Sequence, residues 1–246
     1  MLSKAKISQI RSLEEKKFRQ KEGLFVVEGE KMLLELAQSG WEWEQVYLTS
    51  TFLERHPNVF GRYEEVQEEE LGKISFLKTS TAGLALVKQP KNNEINLKKD
   101  GFYVVLDGIR DPGNLGTIVR TLDWFGISEV ICSMDTVDFT NPKVIQASMG
   151  SIFRVDLLYM DLKVLFEQNS GILPIIGTAM EGENAFQSDL KSGLLIIGNE
   201  AEGIRSETQK WVDKWISIPQ AGDKVESLNA SIATAILCAE RYRQTQ

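Results

Sequence analysis

The stretch Gly101-Phe102-Tyr103-Val104-Val105-Leu106-Asp107-Gly108-Ile109-Arg110-Asp111-Pro112-Gly113-Asn114-Leu115-Gly116-Thr117-Ile118-Val119-Arg120 changes character twice. Its first six residues are almost all apolar, the composition of a strand buried on both faces. A polar turn with Pro112 and Gly113 follows. From Leu115 onward the apolar residues Ile118, Val119, Leu122 and Phe125 recur at helical spacing. Asn114 stands where an N-cap is expected for a helix over 115–125. Strand, turn and helix make one unit of an alternating α/β chain, and the unit recurs downstream. Strands are expected at 129–132, 173–177, 194–198 and 215–218. Helices are expected at 142–149, 161–168, from about Ser206, and at 228–242. Near-continuous apolar strands alternating with helices predict a parallel sheet covered on both faces.

Two more polar patches end predicted strands. Leu194-Leu195-Ile196-Ile197 runs into Gly198-Asn199-Glu200-Ala201-Glu202-Gly203. Ile216-Ser217-Ile218-Pro219 precedes a polar loop over 220–226 and then Ser227-Leu228-Asn229-Ala230-Ser231. The carboxyl ends of strands are where open α/β sheets bind ligands. Gly198 reads as a position where a ligand reaches the backbone, and Ser227 as the N-cap of the last helix. Arg120 is the odd member of the first patch, a cation about one and a half turns into an otherwise apolar helix. A buried structural ion pair and a functional role both fit it. The spacing of Gly108, Gly113 and Gly116 misses the GxGxxG fingerprint, which argues against a dinucleotide site.

Composition shifts at Lys88-Gln89-Pro90-Lys91-Asn92-Asn93, a polar stretch that reads as a linker. It divides the chain into 1–92 and 93–246. Before it, a helix over 8–21, strands at 24–28, 46–48, 63–66 and 83–87, and helices at 29–38 and 68–73 predict a small α/β sandwich. The 246 residues carry a formal charge of −7, against a surface with general nucleic-acid affinity. The distribution is uneven, however. Lys4, Lys6, Arg11, Lys16, Lys17, Arg19 and Lys21 crowd residues 1–21 against only Glu14 and Glu15, whereas Glu64, Glu65, Glu68, Glu69 and Glu70 hold acidic excess elsewhere. Lys16, Lys17 and Arg19 are the candidate phosphate contacts. Cys132 and Cys238 lack metal-ligand spacing and the only histidine is His56, so reduced core thiols and no metal are expected. No apolar run reaches about 18 residues, and the start is basic and polar, so a cytoplasmic protein with no membrane contact is expected.

Taken in order, the three patches resemble the motifs of SpoU-type (TrmH-like) RNA 2′-O-ribose methyltransferases of the SPOUT superfamily. Asn114, Gly116 and Arg120 match the first motif. Gly198, Asn199, Glu200 and Gly203 match the second. Ser227-Leu228-Asn229-Ala230-Ser231 matches the third, with Ala230 in place of valine. The start Phe25-Val26-Val27-Glu28-Gly29 and the end Gly83-Leu84-Ala85-Leu86-Val87 resemble the ribosomal-protein-like substrate-binding domain that precedes the catalytic domain in many such enzymes. The resemblance implies S-adenosyl-L-methionine as methyl donor, a parallel-sheet domain with a deep trefoil knot, and a homodimer. It implies RNA as substrate, ribosomal RNA ahead of transfer RNA. It assigns Arg120, Asn114, Glu200, Ser227 and Asn229 to catalysis, and Thr178, Ala179, Gly198, Asn199, Ile218, Pro219, Ser227 and Leu228 to the donor. The rival is an RNA-binding or ribosome-assembly factor that kept the fold and lost catalysis.

Overall fold

Six strands form the sheet that the apolar runs predict. In the computed structural model, which describes all residues except 80–81, 91–94, 170 and 223–225, the chain divides into two compact units. One is Met1–Lys91 with Asp138–Arg154; the other is Asn92–Val137 with Val155–Gln246. In chain order the elements of the first are α1 (Lys4–Ser12), α2 (Lys16–Glu22), β1 (Leu24–Glu28), α3 (Glu30–Ser39), β2 (Trp43–Leu48), α4 (Ser50–Arg55), β3 (Glu64–Glu65), α5 (Glu68–Ile74) and β4 (Gly83–Lys88). Then come β5 (Phe102–Asp107), α6 (Pro112–Trp124), β6 (Glu129–Ser133), α7 (Pro142–Ser148), β7 (Asp156–Met160), α8 (Leu162–Asn169), β8 (Ile175–Asn184), β9 (Gly193–Gly198), α9 (Ser206–Gln209), β10 (Lys214–Ser217) and α10 (Ala230–Gln244). Of these, α7 packs with the first unit.

The second unit is built on the sheet β10-β8-β9-β5-β6-β7, parallel throughout. The central strands β5 and β9 are the continuous apolar runs. All of Tyr103–Leu106 and Leu194–Ile197 are buried, each such side chain adding roughly 1.5–3 kcal/mol. Two departures from the sequence reading matter here. The edge strand β7 was not expected; of Asp156–Met160 only Leu158 is buried, with Asp156 exposed and the others half-buried. β8 runs on to Asn184 rather than ending at 177. Its pairing with β10 skips from Trp215↔Gly177 to Ile216↔Glu183, so residues 178–182 loop out of the ladder.

The first unit is a four-stranded sheet, β1-β4-β2-β3, with β1 and β2 antiparallel to β4 and the two-residue β3 parallel to β2. The fully buried edge strand β1 is covered by Asp138–Arg154: α7 packs on it, and Gln146 Nε2 donates to the Glu28 carbonyl at 2.9 Å. The Phe139 ring meets Phe25 edge-on, as Phe153 meets Trp41. Of the expected linker, residues 91–93 lie outside the described residues.

The single helix expected over 8–21 is broken at Leu13–Glu15 into α1 and α2. The cause is Arg19, which the sequence offered as a phosphate contact. It is 1 % exposed. Its guanidinium donates to the carbonyls of Leu13 (3.0 Å) and Glu14 (2.7 Å), left open by the break, and to Asp138 (2.7 Å) and Thr140 (2.9 Å). A buried guanidinium with these partners has no hand free for RNA, so Arg19 leaves the set of RNA contacts. Removing it takes the cation from the half-buried Asp138 carboxylate and the donor from two carbonyls. Arg19→Ala is expected to lose about 3–5 kcal/mol in urea denaturation; a loss within about 0.5 kcal/mol, the usual surface value, would contradict this role.

Candidate active site

The strand register brings the patches together. Leu106 pairs with Ile197 and Asp107 with Gly198, so the first and second patches leave the sheet side by side. Gly177 pairs with Ile196 and with Trp215, which aligns the ends of β8 and β10 with them. Beyond these ends opens a cavity of about 800 Å³, within the usual size of ligand pockets. All eight residues assigned to the donor line it: Thr178, Ala179, Gly198, Asn199, Ile218, Pro219, Ser227 and Leu228. Met180, Trp215, Ala233 and Leu237 line it as well, and the sequence reading had missed them. Met180 sits on the looped-out part of β8, which no periodicity announces.

The cavity has a mostly backbone rim and an apolar floor. The second patch folds back on itself: Asn199 N–H donates to the Gly203 carbonyl at 3.1 Å and Gly203 N–H to the Asn199 carbonyl at 2.8 Å. Gly198 is required by this turn. A Cβ there would stand 2.3 Å from Gly203 C and 2.4 Å from Ile204 N, so its bareness serves backbone packing at the cavity wall. Gly182 does the same where the β8 excursion rejoins the sheet; a Cβ would meet the Trp215 backbone at 2.8 Å.

Glu200 on the cavity wall joins two residues outside the lining, Asn114 and Asn229, in one polar network. Asn114 Nδ2 donates to Glu200 Oε1, and Asn229 Nδ2 donates to Asn114 Oδ1 at 2.9 Å. Thus one residue from each patch is joined directly. Both caps differ from expectation. Asp111 caps α6, accepting from Asn114 N–H at 2.8 Å with Pro112 in the first turn, so the Asn114 side chain is released from capping and reaches Glu200. Asn229 caps α10 through Oδ1, which accepts from Ser231 N–H and Oγ–H, and Ser227 lies exposed on the cavity wall instead.

Arg120 stands apart. It does not line the cavity, lies about 9 Å beyond Asn114 along the axis of α6, and is exposed with no hydrogen bond or ion pair among the described residues. The buried ion pair considered from sequence is therefore absent. Its neighbours on the same stripe of α6 are Gly113, Thr117 and Trp124, all exposed, Trp124 at 84 %. In the first unit Lys16 and Lys17 are exposed, Lys17 paired with Glu15 at 2.8 Å.

A buried carboxylate and a half-buried guanidinium pair at the strand end. Asp107 is fully buried and meets Arg205, which the sequence reading had not singled out. The signal was present: a carboxylate closing a wholly apolar strand requires a cation. Burial would raise the Asp135 carboxyl nearby, but the Ser133 hydroxyl and Arg205 hold it below the usual range. Burial likewise opposes the Arg205 charge, but the hydrogen bond to Asp107 and the nearby Asp107, Asp135 and Glu207 carboxylates together outweigh it and raise its pKa. Burial pushes the Cys238 thiol up to about 12 and Cys132 higher still, so neither is a nucleophile. Among the described residues no cluster of His, Cys, Asp and Glu is placed to hold a metal, and no helix is long and apolar enough to cross a membrane.

Gly198→Ala forces Gly203 and Ile204 away from the strand end. It is expected to cost about 1–3 kcal/mol, the usual penalty of overpacking, and to remove hydrogen-exchange protection from the Gly203 amide. Wild-type protection in the variant would show that the turn does not depend on the missing Cβ.

Comparison with known proteins agrees with this geometry. Residues 101–239 match the model of the SpoU rRNA methylase family, and residues 4–85 match an MRM3-like substrate-binding domain. The 23S rRNA (guanosine-2′-O-)-methyltransferase RlmB of Escherichia coli is 37% identical over 150 residues, 58% of this chain and 60% of that protein, so the match spans well under two thirds of that relative. The 23S rRNA (guanosine(2553)-2′-O)-methyltransferase RlmP of Bacillus subtilis is 27% identical over 236 residues, 94% of each chain. The crystal structure of an AdoMet-bound rRNA methyltransferase from Sinorhizobium meliloti superposes with a TM-score of 0.88 at 27% identity, covering 100% of this chain and 98% of that one. The methylase match alone spans more than half of the chain, which belongs to the SpoU rRNA methylase family.

Proposed function

We propose that this chain transfers a methyl group from S-adenosyl-L-methionine to a ribose 2′-hydroxyl of RNA, ribosomal RNA ahead of transfer RNA, in the cytoplasm. The observation that carries the reading is a cavity at the ends of the parallel strands β8, β9 and β10, with Glu200 on its wall hydrogen-bonded to Asn114, which in turn accepts from Asn229. The relatives named above act on 23S rRNA guanosines, and the same base in the same RNA is the first substrate to test.

The cavity suits the donor. The turn after Gly198 and the Ile218–Pro219 strand end offer backbone groups to an adenosine, and Leu228, Ala230, Ala233 and Leu237 give a smooth apolar floor for a ring. Thr178, whose hydroxyl donates to the Ile196 carbonyl at 2.8 Å, fixes the near wall. When bound, the donor supplies an electrophilic methyl on a sulfonium. A ribose hydroxyl is a weak nucleophile, and its oxygen gains negative charge as its proton leaves. Asn114, itself held by Asn229, holds Glu200 in place at that end, and Ser227 adds a hydroxyl to the cavity wall. The Arg120 guanidinium stabilises the developing alkoxide or its phosphate.

In its own chain Arg120 is exposed and off the cavity wall, and it shares a stripe of α6 with the exposed Trp124. We read this stripe, with Ile232 and Tyr242 of α10, as the contact face of a homodimer in which a site is completed by the second chain. The deep trefoil knot belongs to the same reading, supported by the order β10-β8-β9-β5-β6-β7, where β9 lies inside β8 and the chain recrosses to the outer edge. Residues 1–92 we assign to RNA binding and 93–246 to catalysis, with Lys16 and Lys17 among the phosphate contacts.

Incubation with isotopically labelled donor and 23S rRNA from a strain lacking the protein is expected to label one ribose. Donor binding without transfer would favour the assembly-factor reading. Arg120→Ala is expected to leave melting and donor affinity unchanged while turnover falls by roughly two to three orders of magnitude; unchanged turnover would remove Arg120 from the reaction. Sedimentation is expected to show a dimer at micromolar concentration and a monomer for Trp124→Glu. A monomeric wild type would end the two-chain site.

A further inference from the structure

The loop that carries Glu200 is held at three points. At its start, Gly198 is fixed in the sheet beside Asp107. Next, Asn199 Nδ2 donates to the Gly108 carbonyl at 2.9 Å. At its far end the Arg205 backbone N–H donates to Asp107 Oδ2 at 3.0 Å and its Nε to Asp107 Oδ1 at 2.6 Å, with a further guanidinium nitrogen on the same oxygen. The remaining nitrogen reaches Asp135 Oδ1 at 3.2 Å. Asp135 accepts from the Ser133 hydroxyl at 2.8 Å, and Ser133 Oγ accepts from Gly108 N–H at 2.9 Å. The chain of contacts therefore closes on itself, from the end of β5 through β6 and the loop back to the end of β5.

Within this frame Glu200 projects from the loop to meet Asn114. Asp107 is wholly buried, whereas the Arg205 side chain is 28% exposed, so the carboxylate is the fixed post and the arginine the movable tether. A guanidinium supplies this geometry because two of its nitrogens serve one carboxylate while a third faces another. A lysine ammonium is a point charge and cannot span both.

We propose that Arg205 is the positioning residue for Glu200: anchored on Asp107, it fixes the far end of the 199–204 loop so that Glu200 meets Asn114 at the reacting end of the cavity. The inference rests on the methyltransferase reading. It separates two steps. The donor is walled by Thr178, Pro219 and Leu228 as well as by this loop, so loosening one corner leaves donor binding nearly intact. The transfer step depends on the placement of Glu200, where a displacement near 1 Å costs on the order of a hundredfold.

The test combines donor calorimetry with single-turnover transfer from labelled donor, slow enough to register weak variants, on full-length protein. Arg205→Gln is expected to bind donor with full stoichiometry and a Kd within about threefold, while transfer falls by about 30–100-fold. Arg205→Lys is expected to recover only part of that loss. In a Glu200→Gln background the same Arg205→Gln change is expected to cost less than about threefold, because the two residues act as one unit. Asp107→Asn, which keeps shape and acceptor but drops the charge, carries the same expectation if Arg205→Gln does not fold. Equal factors in both backgrounds, or donor stoichiometry falling in step with transfer, would overturn the inference and leave Arg205 a stability residue. A wild-type chain that binds no donor overturns the methyltransferase reading and this inference with it.

Discussion

Asp107 lies beside Gly198 in the register of two adjacent parallel strands, and the active-site geometry descends from that pairing. Neighbouring strands run about 4.8 Å apart, so two patches far apart in sequence leave the sheet within one strand spacing. Side chains alternate in direction, and a slip of one residue would send every side chain of the slipped strand to the opposite face of the sheet. β5 and β9 are buried on both faces, which makes such a slip expensive and the register firm. Once it is set, the turn at Asn199–Gly203 must fold back over Gly198. Asn114 rises one helical turn from the same edge, and Glu200 comes within its reach.

Each unit then settles its least regular backbone with an arginine on a buried or half-buried carboxylate. In the second, Arg205 joins Asp107 and Asp135 where the loop leaves β9. In the first, Arg19 joins Asp138 and takes two carbonyls where α1 and α2 break apart. Both places have more acceptors than the backbone alone can satisfy, and an unpaired acceptor or anion in the interior costs more than a paired one returns. The planar guanidinium, with five donors, meets several acceptors in one rigid group. These two arginines are thus architectural, while Arg120, whose sequence setting suggested burial, is the one presented to solvent.

The parallel sheet was legible because β5 and β9 are unbroken apolar runs, and the cavity was legible because the second and third polar patches, after β9 and β10, supply much of its wall. What escaped has physical causes. β7 is an edge strand and β8 continues through polar residues outside the ladder, so neither carries the signature of a buried strand. At the start of α6 two good caps stand three residues apart, and Pro112 after Asp111 decides between them by fitting the first helical position. The purpose of Gly198 depends on Gly203 and Ile204 folding over it, a tertiary event that no local pattern encodes. Arg19 looked like part of a basic face because charge alone shows nothing of the carbonyls that a helix break exposes.

A boundary drawn along the sequence and one drawn through the packing also part company, and Asp138–Arg154 is where they do so. The family matches end at residue 85 and resume at 101, so a cut through the linker follows them. The segment 138–154 nonetheless packs with the first unit. Val144, Ile145, Ile152 and Phe153 are buried there, beside β1 and the Phe25 and Trp41 rings, and Arg19 and Glu35 pair with Asp138 and Arg154. A fragment beginning after the linker would carry this segment with its apolar side chains uncovered and without Arg19 on Asp138 or Glu35 on Arg154. Poor behaviour of such a fragment would therefore report on lost packing as much as on lost RNA contacts. Point substitutions at exposed Lys16 and Lys17 separate the two effects, because those side chains lie outside that core.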